Sequence, residues 1–269
     1  MTHLSLFSGI GGLDIAAEMA GFHTVGQCEF ADYPYKVLEK HWPDVPRWRD
    51  VHDLTATDFT ARTGLRTVDC ISGGFPCQPH SVAGKRKASA DERDLWPEFR
   101  RVVCEIKPRW VVAENVPGLL SSDDGRFFRN ILRDFADMGF NVGWATISAA
   151  SVGAIHRRER MAIVANSNSI IHRRVFRGKR EKENQRGNET QEWSLNRGWT
   201  ITRQGVAPLL QTGYAEPIKP FVTGKYDGLS VELDRVKCLG NSVCPQQFYP
   251  IFKAIAELGG EGAGLAYPK

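Results

Sequence analysis

A cysteine held between two prolines is the residue in this chain that is best suited to covalent chemistry. Cys77 lies in the segment Gly73 to Pro79, shortly after the apolar run Val68 to Ile71. The flanking prolines restrict the backbone and present the thiol in a fixed place. The apolar run predicts a buried strand, and ligands of α/β proteins collect at the carboxyl ends of such strands. We therefore interpret Cys77 as a nucleophile, with a buried structural cysteine as the alternative.

An acid and two arginines extend this pattern. Glu114 follows the strand-like run Trp110 to Ala113, and the two strand ends are predicted to face the same side of a sheet. A thiolate beside a carboxyl group suits addition to an electron-poor ring, because the acid can bond to or protonate the ring nitrogen. Arg158 and Arg160 alternate, so an extended segment would place both guanidinium groups on one face, where they could hold a carbonyl, a carboxylate or a phosphate. Taken singly, a capping glutamate and a solvated arginine run are the alternatives.

A glycine-rich turn predicts a cofactor loop. Gly9, Gly11 and Gly12 separate the strand-like run Leu4 to Phe7 from a helix, so a ligand can approach the backbone and the helix amides favour an anion. Glu29 ends the next strand-like run, where an α/β nucleotide site holds a carboxylate for ribose hydroxyls. The pattern indicates an adenosine-type cofactor, and a tight turn with a surface glutamate is the alternative.

The elements that must position these residues alternate along residues 1–165. Strands are predicted at 4–7, 25–30, 68–71, 110–113, 142–147 and 161–165, and helices at 34–41, 91–107, 127–138 and, nearer the end of the chain, 246–258. A further helix before Gly21 is predicted to present Ile15, Ala16, Met19 and Ala20 on one face. This alternation predicts an α/β fold with a mostly parallel, doubly wound sheet and helices on both of its faces.

Positive charge is concentrated in one part of the chain. Residues 166–226 carry eleven Lys and Arg against five Glu, a local surplus of +6, whereas the net charge of the whole chain is only +4. A basic, polar segment without a sustained hydrophobic period suggests a polyanion partner, and a solvated insertion is the alternative.

The cellular setting is also predicted from composition. The apolar runs are too short to cross a bilayer, and the first residues lack the pattern of a signal peptide. The six cysteines show neither the pairing of a disulfide framework nor the spacing of a zinc site. We therefore expect a cytoplasmic protein with reduced thiols and no metal.

Five segments, taken together and in this order, resemble the DNA cytosine-5 methyltransferase family of prokaryotic or phage type. The segment Phe7 to Gly12 is similar to the cofactor loop of the family, and Gly73 to Ser81 to its nucleophile motif. The others are Glu114 to Val116, Arg158 to Arg160 and Gly240 to Val243. The resemblance implies a class I S-adenosylmethionine-dependent methyltransferase fold. In it, residues 1–165 and 237–269 form the catalytic and cofactor-binding domain, and 166–236 form a small basic target-recognition domain.

The resemblance implies methylation of carbon 5 of cytosine in a specific double-stranded DNA sequence. S-adenosylmethionine is the implied donor, S-adenosylhomocysteine the product, and the cytosine is flipped out because its reactive carbons are inaccessible in the stack. Cys77 adds to carbon 6, and Glu114 engages N3 and the exocyclic amine. Arg160 contacts the base carbonyl, and Arg158 supports the pocket. A monomeric bacterial or phage-encoded enzyme is expected, with a cognate restriction endonuclease as an optional partner.

Further residues match family positions around the cofactor and the DNA. The cofactor set comprises Phe7, Gly9, Gly11, Gly12, Leu13, Glu29, Phe30, Asp50, Val51, Pro76, Asn241 and Ser242. The DNA set comprises Ser81, Lys85, Arg86 and Lys87, in a loop expected to close over DNA, with Arg173, Arg174 and Arg177 in the basic segment.

The sequence departs from the family pattern at a few positions. His156 and Cys244 stand where the family often has Gln and Pro, and residues 166–236 are fewer than a recognition domain usually has. Two alternatives remain open. One is a tRNA cytosine-5 methyltransferase, which a reduced recognition region would suit; the other is a non-catalytic DNA-binding regulator, against which the intact Cys77 and Glu114 argue.

Overall fold

The computed structural model describes residues 1–76, 94–154, 156–167 and 242–260, together with three short strands between residues 193 and 208. Seven strands form the main sheet: β1 (Thr2–Leu6), β2 (His23–Cys28), β3 (Arg47–Trp48), β4 (Cys70–Gly73), β5 (Trp110–Asn115), β6 (Asn141–Ser148) and β7 (Glu159–Asn166).

These strands form one sheet in the order β3-β2-β1-β4-β5-β7-β6. The pairs from β3 to β5 are parallel, whereas β7 is antiparallel to both of its neighbours. The carboxyl ends of β1 to β5 therefore share one edge of the sheet, and the amino end of β7 reaches the same edge. The prediction of a mostly parallel α/β sheet is confirmed.

Helices cover both faces of this sheet. They are α1 (Gly12–Met19), α2 (Asp32–His41), α3 (Ala56–Thr63), α4 (Trp96–Ile106), α5 (Arg126–Asp137) and α6 (Pro245–Gly260). The core divides into a layer containing α3, α4 and α5 and a layer containing α1 and α6. In β5, Val111 and Ala113 belong to the first layer and Trp110 and Val112 to the second, as the alternation of a strand buried on both faces requires.

Within the main sheet and its helices, β3 and α3 were absent from the sequence prediction, and one helix starts later than predicted. The strand β3 has two residues, and α3 buries only Phe59, so neither has a readable hydrophobic period. The helix predicted from residue 91 begins at Trp96, whose N–H is accepted by the Asp94 carboxylate. Pro97 follows in the first turn, where a missing N–H costs nothing.

The face predicted for α1 is partly wrong. Ile15 and Met19 are exposed, whereas Leu13, Ala16 and Ala17 are buried in the layer shared with α6. The reason is that α1 packs against both the sheet and α6, and the small alanines allow this close approach.

Residues 193–208 contain three antiparallel strands, β8 (Trp193–Leu195), β9 (Trp199–Thr202) and β10 (Gly205–Pro208). Strand β10 contacts β6 of the main sheet. Strands of three or four residues are too short for a period to be recognised in the sequence. The assignment of residues 166–236 to a separate recognition domain stays a prediction. Within the described residues, no helix is both long and apolar enough to cross a membrane.

Candidate active site

The backbone that leads to the candidate nucleophile is held by buried contacts. Phe75, at the exit of β4, is buried, and its ring lies 5.1 Å from the ring of Trp96 at the start of α4. The buried Asn115 donates from Nδ2 to the Phe75 carbonyl over 3.0 Å. Pro76 follows in an exposed position. These contacts fix the chain directly before Cys77, which itself lies outside the described residues.

The other predicted site residues outside the described part of the chain are Asn241 of the cofactor set and the whole DNA set, Ser81, Lys85, Arg86, Lys87, Arg173, Arg174 and Arg177.

Glu114 and Arg160 form a buried charge pair between β5 and β7. Glu114 is opposite Ala162 in the antiparallel register, so Arg160, two residues earlier, lies on the same face of the sheet. Arg160 Nε is 2.8 Å from Glu114 Oε1, and the two side chains are only 13% and 12% exposed. The Nε–H is not aligned for a hydrogen bond, so the attraction is that of two opposite charges.

Burial changes the acidity of this carboxyl group. Desolvation raises the pKa of Glu114 to about 7, although the positive charges of Arg160 and Arg158 lower it. A carboxyl group with this pKa exists in both protonation states near neutral pH, as general acid–base chemistry requires. Gly74 provides the space for it, because a Cβ there would lie 2.6 Å from Glu114 Oε2. The acid is therefore adjacent to the strand exit that leads to Cys77.

Arg158 lies outside the extended segment that was predicted to carry both arginines. The strand β7 begins only at Glu159, and Arg158 has a positive φ of 22°. Its guanidinium donates to the Ser242 carbonyl, just before α6. Gln247 of α6 donates from Nε2 to the carbonyls of Ile147 and Arg158, each over 2.9 Å. Arg158 therefore connects the start of β7 to the segment around Ser242, and it acts on Glu114 only through its charge.

The glycine-rich loop between β1 and α1 is tightly packed. Phe7, Gly9 and Gly11 have positive φ angles of 51°, 55° and 87°. A Cβ at Gly11 would lie 2.5 Å from the ring of Trp42, and one at Gly12 would lie 2.8 Å from the side chain of Val243. Side chains are excluded at both glycines, and the segment that contains Ser242 covers the start of α1. Leu13 is buried in the core below the loop.

The ends of β2 and β3 bring together four of the predicted cofactor residues. Gln27 pairs with Arg47 and Cys28 with Trp48, and the Glu29 N–H donates to the Trp48 carbonyl over 3.0 Å, so the segments that leave the two strands begin side by side. Arg49 supports this arrangement by donating to the Phe30 carbonyl over 3.0 Å. Phe30 is 76% exposed, whereas Val51 is buried. At this edge of the sheet, an exposed aromatic ring follows β2 and an acidic residue follows β3.

Glu29 connects this edge to the glycine-rich loop. Its Oε2 accepts the Gly9 N–H over 2.7 Å, and its Oε1 accepts the Ala31 N–H over 2.8 Å. Each carboxylate oxygen has a second lone pair, so both can still accept bonds from ribose hydroxyls. His52 donates its backbone N–H to Asp50 Oδ1 over 2.9 Å, and hydrogen bonds from His52 lower the pKa of Asp50.

Sequence reasoning missed a buried acid beneath the loop. Asp14 of α1 accepts hydrogen bonds of 2.9 Å from the Ser5 hydroxyl and the Gln27 amide, and burial raises its pKa to about 6. The available signal was a charged residue between Leu13 and Ile15, in a helix whose other charged residue is the exposed Glu18. Among the described residues, no group of His, Cys, Asp and Glu is arranged to hold a metal ion.

Comparison with known proteins gives a family match over most of the chain. The model of the C-5 cytosine-specific DNA methylases matches residues 1–205. Type II methyltransferase M.Eco47II of Escherichia coli is 38% identical over 172 residues, which cover 63% of this chain and 40% of that protein. M.NgoFVII of Neisseria gonorrhoeae is 36% identical over 162 residues, covering 60% and 42%. The match spans about two fifths of the length of these curated relatives.

Two solved structures share the fold. A DNA modification methyltransferase encoded within an Escherichia coli prophage superposes with a TM-score of 0.55 at 26% identity, covering 64% of this chain and 48% of that one. The DNMT2 protein of Spodoptera frugiperda superposes with a TM-score of 0.51 at 22% identity, covering 62% and 50%. These likenesses confirm the predicted class I methyltransferase fold.

Proposed function

This chain belongs to the family of C-5 cytosine-specific DNA methylases, and we propose that it methylates carbon 5 of a cytosine within a specific sequence of double-stranded DNA. The observation that carries the proposal is the buried pair of Glu114 and Arg160, which lies against Gly74 at the strand exit leading to Cys77. Addition of a thiolate to a pyrimidine ring requires an acid with a raised pKa near the nucleophile.

The edge of the sheet formed by β1 to β3 suits S-adenosylmethionine as the cofactor. Phe30 offers an exposed ring for stacking against adenine, and Glu29 retains lone pairs for ribose hydroxyls. Asp50 and Val51 are assigned to the adenine amino group. The crowded Gly11 and the amino end of α1 suit the methionine carboxylate. When bound, this cofactor supplies the methyl group that the ring accepts.

The proposed chemistry begins at Cys77. Its thiolate forms a bond to carbon 6 of the flipped cytosine, and the ring electrons move toward N3. Glu114 donates a proton or a hydrogen bond there, which is possible because its pKa of about 7 keeps part of it protonated at neutral pH. Carbon 5 becomes nucleophilic and takes the methyl group. Loss of the carbon-5 proton then expels the Cys77 thiolate and restores the aromatic ring.

The two arginines have different parts in this scheme. Arg160 orients the Glu114 carboxyl group and donates from Nη1 to the Glu159 carbonyl over 2.9 Å, and its Nη2 is proposed to donate to the base carbonyl. Arg158 holds the segment around Ser242 against the start of α1. One arginine thus serves the base and the other supports the cofactor pocket.

DNA binding is assigned to residues that lie outside the described chain. Lys85, Arg86 and Lys87 are proposed to meet phosphates, as are Arg173 and Arg174 in the basic segment. Residues 166–236 are proposed to select the target sequence. The names of the relatives, Type II methyltransferases, make a cognate restriction endonuclease the proposed partner. We further propose that the protein is monomeric and cytoplasmic.

The test is expression of the chain in a methylation-deficient bacterial host, followed by bisulfite sequencing of the plasmid. We expect cytosines within one sequence motif to resist conversion, and Cys77→Ser to abolish this protection. If the plasmid is unprotected and label from tritiated cofactor enters tRNA, the substrate is RNA and not DNA. Protection that survives Cys77→Ser would rule out the covalent mechanism.

A further inference from the structure

Arg101 in the middle of α4 reaches across to the segment that follows β3. Its Nη2 donates to the Val51 carbonyl over 2.8 Å, and its Nη1 donates to the Leu54 carbonyl over 3.2 Å. The planar guanidinium thus holds two backbone carbonyls three residues apart. This segment directly follows Asp50, so Arg101 holds the backbone immediately after that residue.

Two glutamates on the same helix hold the guanidinium in this position. Glu98 Oε2 accepts from Arg101 Nε over 2.7 Å, and Glu105 Oε1 accepts from Nη1 over 2.8 Å. The other oxygen of Glu105 accepts the Ala56 N–H over 2.9 Å. Helix α4 therefore binds three backbone groups of one short segment, the carbonyls of Val51 and Leu54 and the amide of Ala56.

These contacts differ from a surface ion pair. Arg101 and Glu98 are 28% and 21% exposed, and Val51 and Leu54 are buried. The Val51 carbonyl also accepts the Leu54 N–H over 3.2 Å, so the Leu54 carbonyl is the one that depends more on the guanidinium. Loss of a donor to a carbonyl of a buried residue is costly. Arg101 is also on the face of the sheet opposite Glu114, because α4 packs on the layer that contains Val111 and Ala113. A substitution of Arg101 should therefore change the affinity for the cofactor and leave the Glu114–Arg160 pair undisturbed.

We propose that Arg101 is a positioning residue that fixes Asp50 and Val51 and thereby sets the preference of this protein for adenine over a purine that lacks the 6-amino group. The inference rests on the proposed function, in which those two residues meet the adenine amino group. A hydrogen bond that reads an amino group loses its selectivity when its backbone can shift, since the acceptor can then adapt to either ring.

The test compares S-adenosylhomocysteine with S-inosylhomocysteine, in which oxygen replaces the adenine amino group. Calorimetry gives the Kd of each ligand for the 269-residue chain, for Arg101→Met and for Arg101→Lys. Arg100→Met is the matched control, because Arg100 is the next residue of the helix and faces Asp134 at 3.5 Å instead of the cofactor segment.

We expect Arg101→Met to raise the Kd of S-adenosylhomocysteine roughly tenfold and the Kd of S-inosylhomocysteine much less. The Kd of S-inosylhomocysteine divided by that of S-adenosylhomocysteine should therefore fall. Arg101→Lys should lower the ratio as well, because one ammonium cannot span two carbonyls as a guanidinium does. Arg100→Met should leave the ratio unchanged.

Other outcomes would overturn the inference. An equal rise in the Kd of both ligands would mean that Arg101 has only a structural role. Unchanged Kd values would mean that the segment after Asp50 does not need Arg101. If Arg101→Met does not fold by circular dichroism, Arg101→Lys supplies the same ratio. A wild-type chain that binds neither ligand would overturn the proposed cofactor, and the inference with it.

Discussion

The cofactor side of the site, around Glu29 and Phe30, is exposed and held by hydrogen bonds to the backbone. The base side, formed by Glu114 and Arg160, is buried and held by an ion pair. On the cofactor side, Phe30 is 76% exposed and Glu29 accepts two main-chain N–H groups. On the base side, Glu114 is 9% exposed and faces Arg160. Both sides lie at one edge of one sheet, so the difference arises from the strands they follow and not from the fold class.

The difference separates recognition from chemistry. Recognition of a nucleoside needs polar groups at defined positions, and main-chain bonds supply such positions without burying charge. Activation of a ring needs an acid with a shifted pKa, and only burial or charge can shift it. The raised pKa of Glu114 is caused by desolvation and therefore depends on its burial, while the charges of Arg160 and Arg158 act in the opposite direction.

The largest expected effect is a loss of catalytic rate that leaves cofactor affinity unchanged, produced by one substitution on the base side. Glu114→Gln should reduce the rate of methyl transfer by about 10³-fold, because the acid at N3 is lost. The Kd of S-adenosylhomocysteine should stay unchanged, since Glu114 has no contact with the cofactor edge. Single-turnover assays and calorimetry measure the two quantities, with Glu159→Gln as the control, because Glu159 is an exposed acid at the start of the neighbouring strand β7. Loss of cofactor affinity in Glu114→Gln would show that the two sides are not independent.

A smaller effect concerns stability against pH. The pKa of Glu114 is about 7 in the folded chain and 4.5 in the reference state, so the folded chain binds this proton more tightly. Its contribution to stability is complete below the unfolded pKa and is lost as the pH rises through the folded pKa. The difference in unfolding free energy, wild type minus Glu114→Gln, should fall by about 3 kcal/mol from acid to alkaline pH.

Urea unfolding at a series of pH values measures this difference. The subtraction removes other titrations, such as those of Asp14, whose pKa is raised to about 6, and His3, whose pKa burial lowers to about 3. A difference that is constant with pH would mean that Glu114 is hydrated in solution, and the contrast between an exposed and a buried side would then fail.

The sequence predicted the elements with a long hydrophobic period and the residues at their ends. It did not predict β3 or α3, because two strand residues and one buried phenylalanine leave no pattern to read. The alternation of Arg158 and Arg160 suggested one shared face, but Arg158 turns toward the Ser242 carbonyl, a contact 84 residues away in the chain. Local spacing carries no information about such a bond.

The contacts by which several residues support the site were missed for the same reason. Asn115 bonds a carbonyl 40 residues away, and Gln247 bonds carbonyls 100 and 89 residues away. Asn and Gln are common at surfaces, so only burial and a partner reveal their role. Gly74 entered the sequence analysis only as part of the segment that resembles the nucleophile motif, whereas in the structure it leaves room for the Glu114 carboxyl group.

The smallest expected effect tests the cofactor side alone. Glu29→Gln keeps one acceptor oxygen but turns an amide NH₂ toward the N–H of either Gly9 or Ala31, so one of the two bonds is lost. The Kd of S-adenosylhomocysteine should rise about tenfold, and the rate of methyl transfer at saturating cofactor should stay nearly unchanged. Glu39→Gln is the matched control, because it makes the same change at an exposed acid of α2. A fall in rate at saturating cofactor would mean that Glu29 influences the base side, and that the glycine-rich loop transmits its effect across the sheet edge.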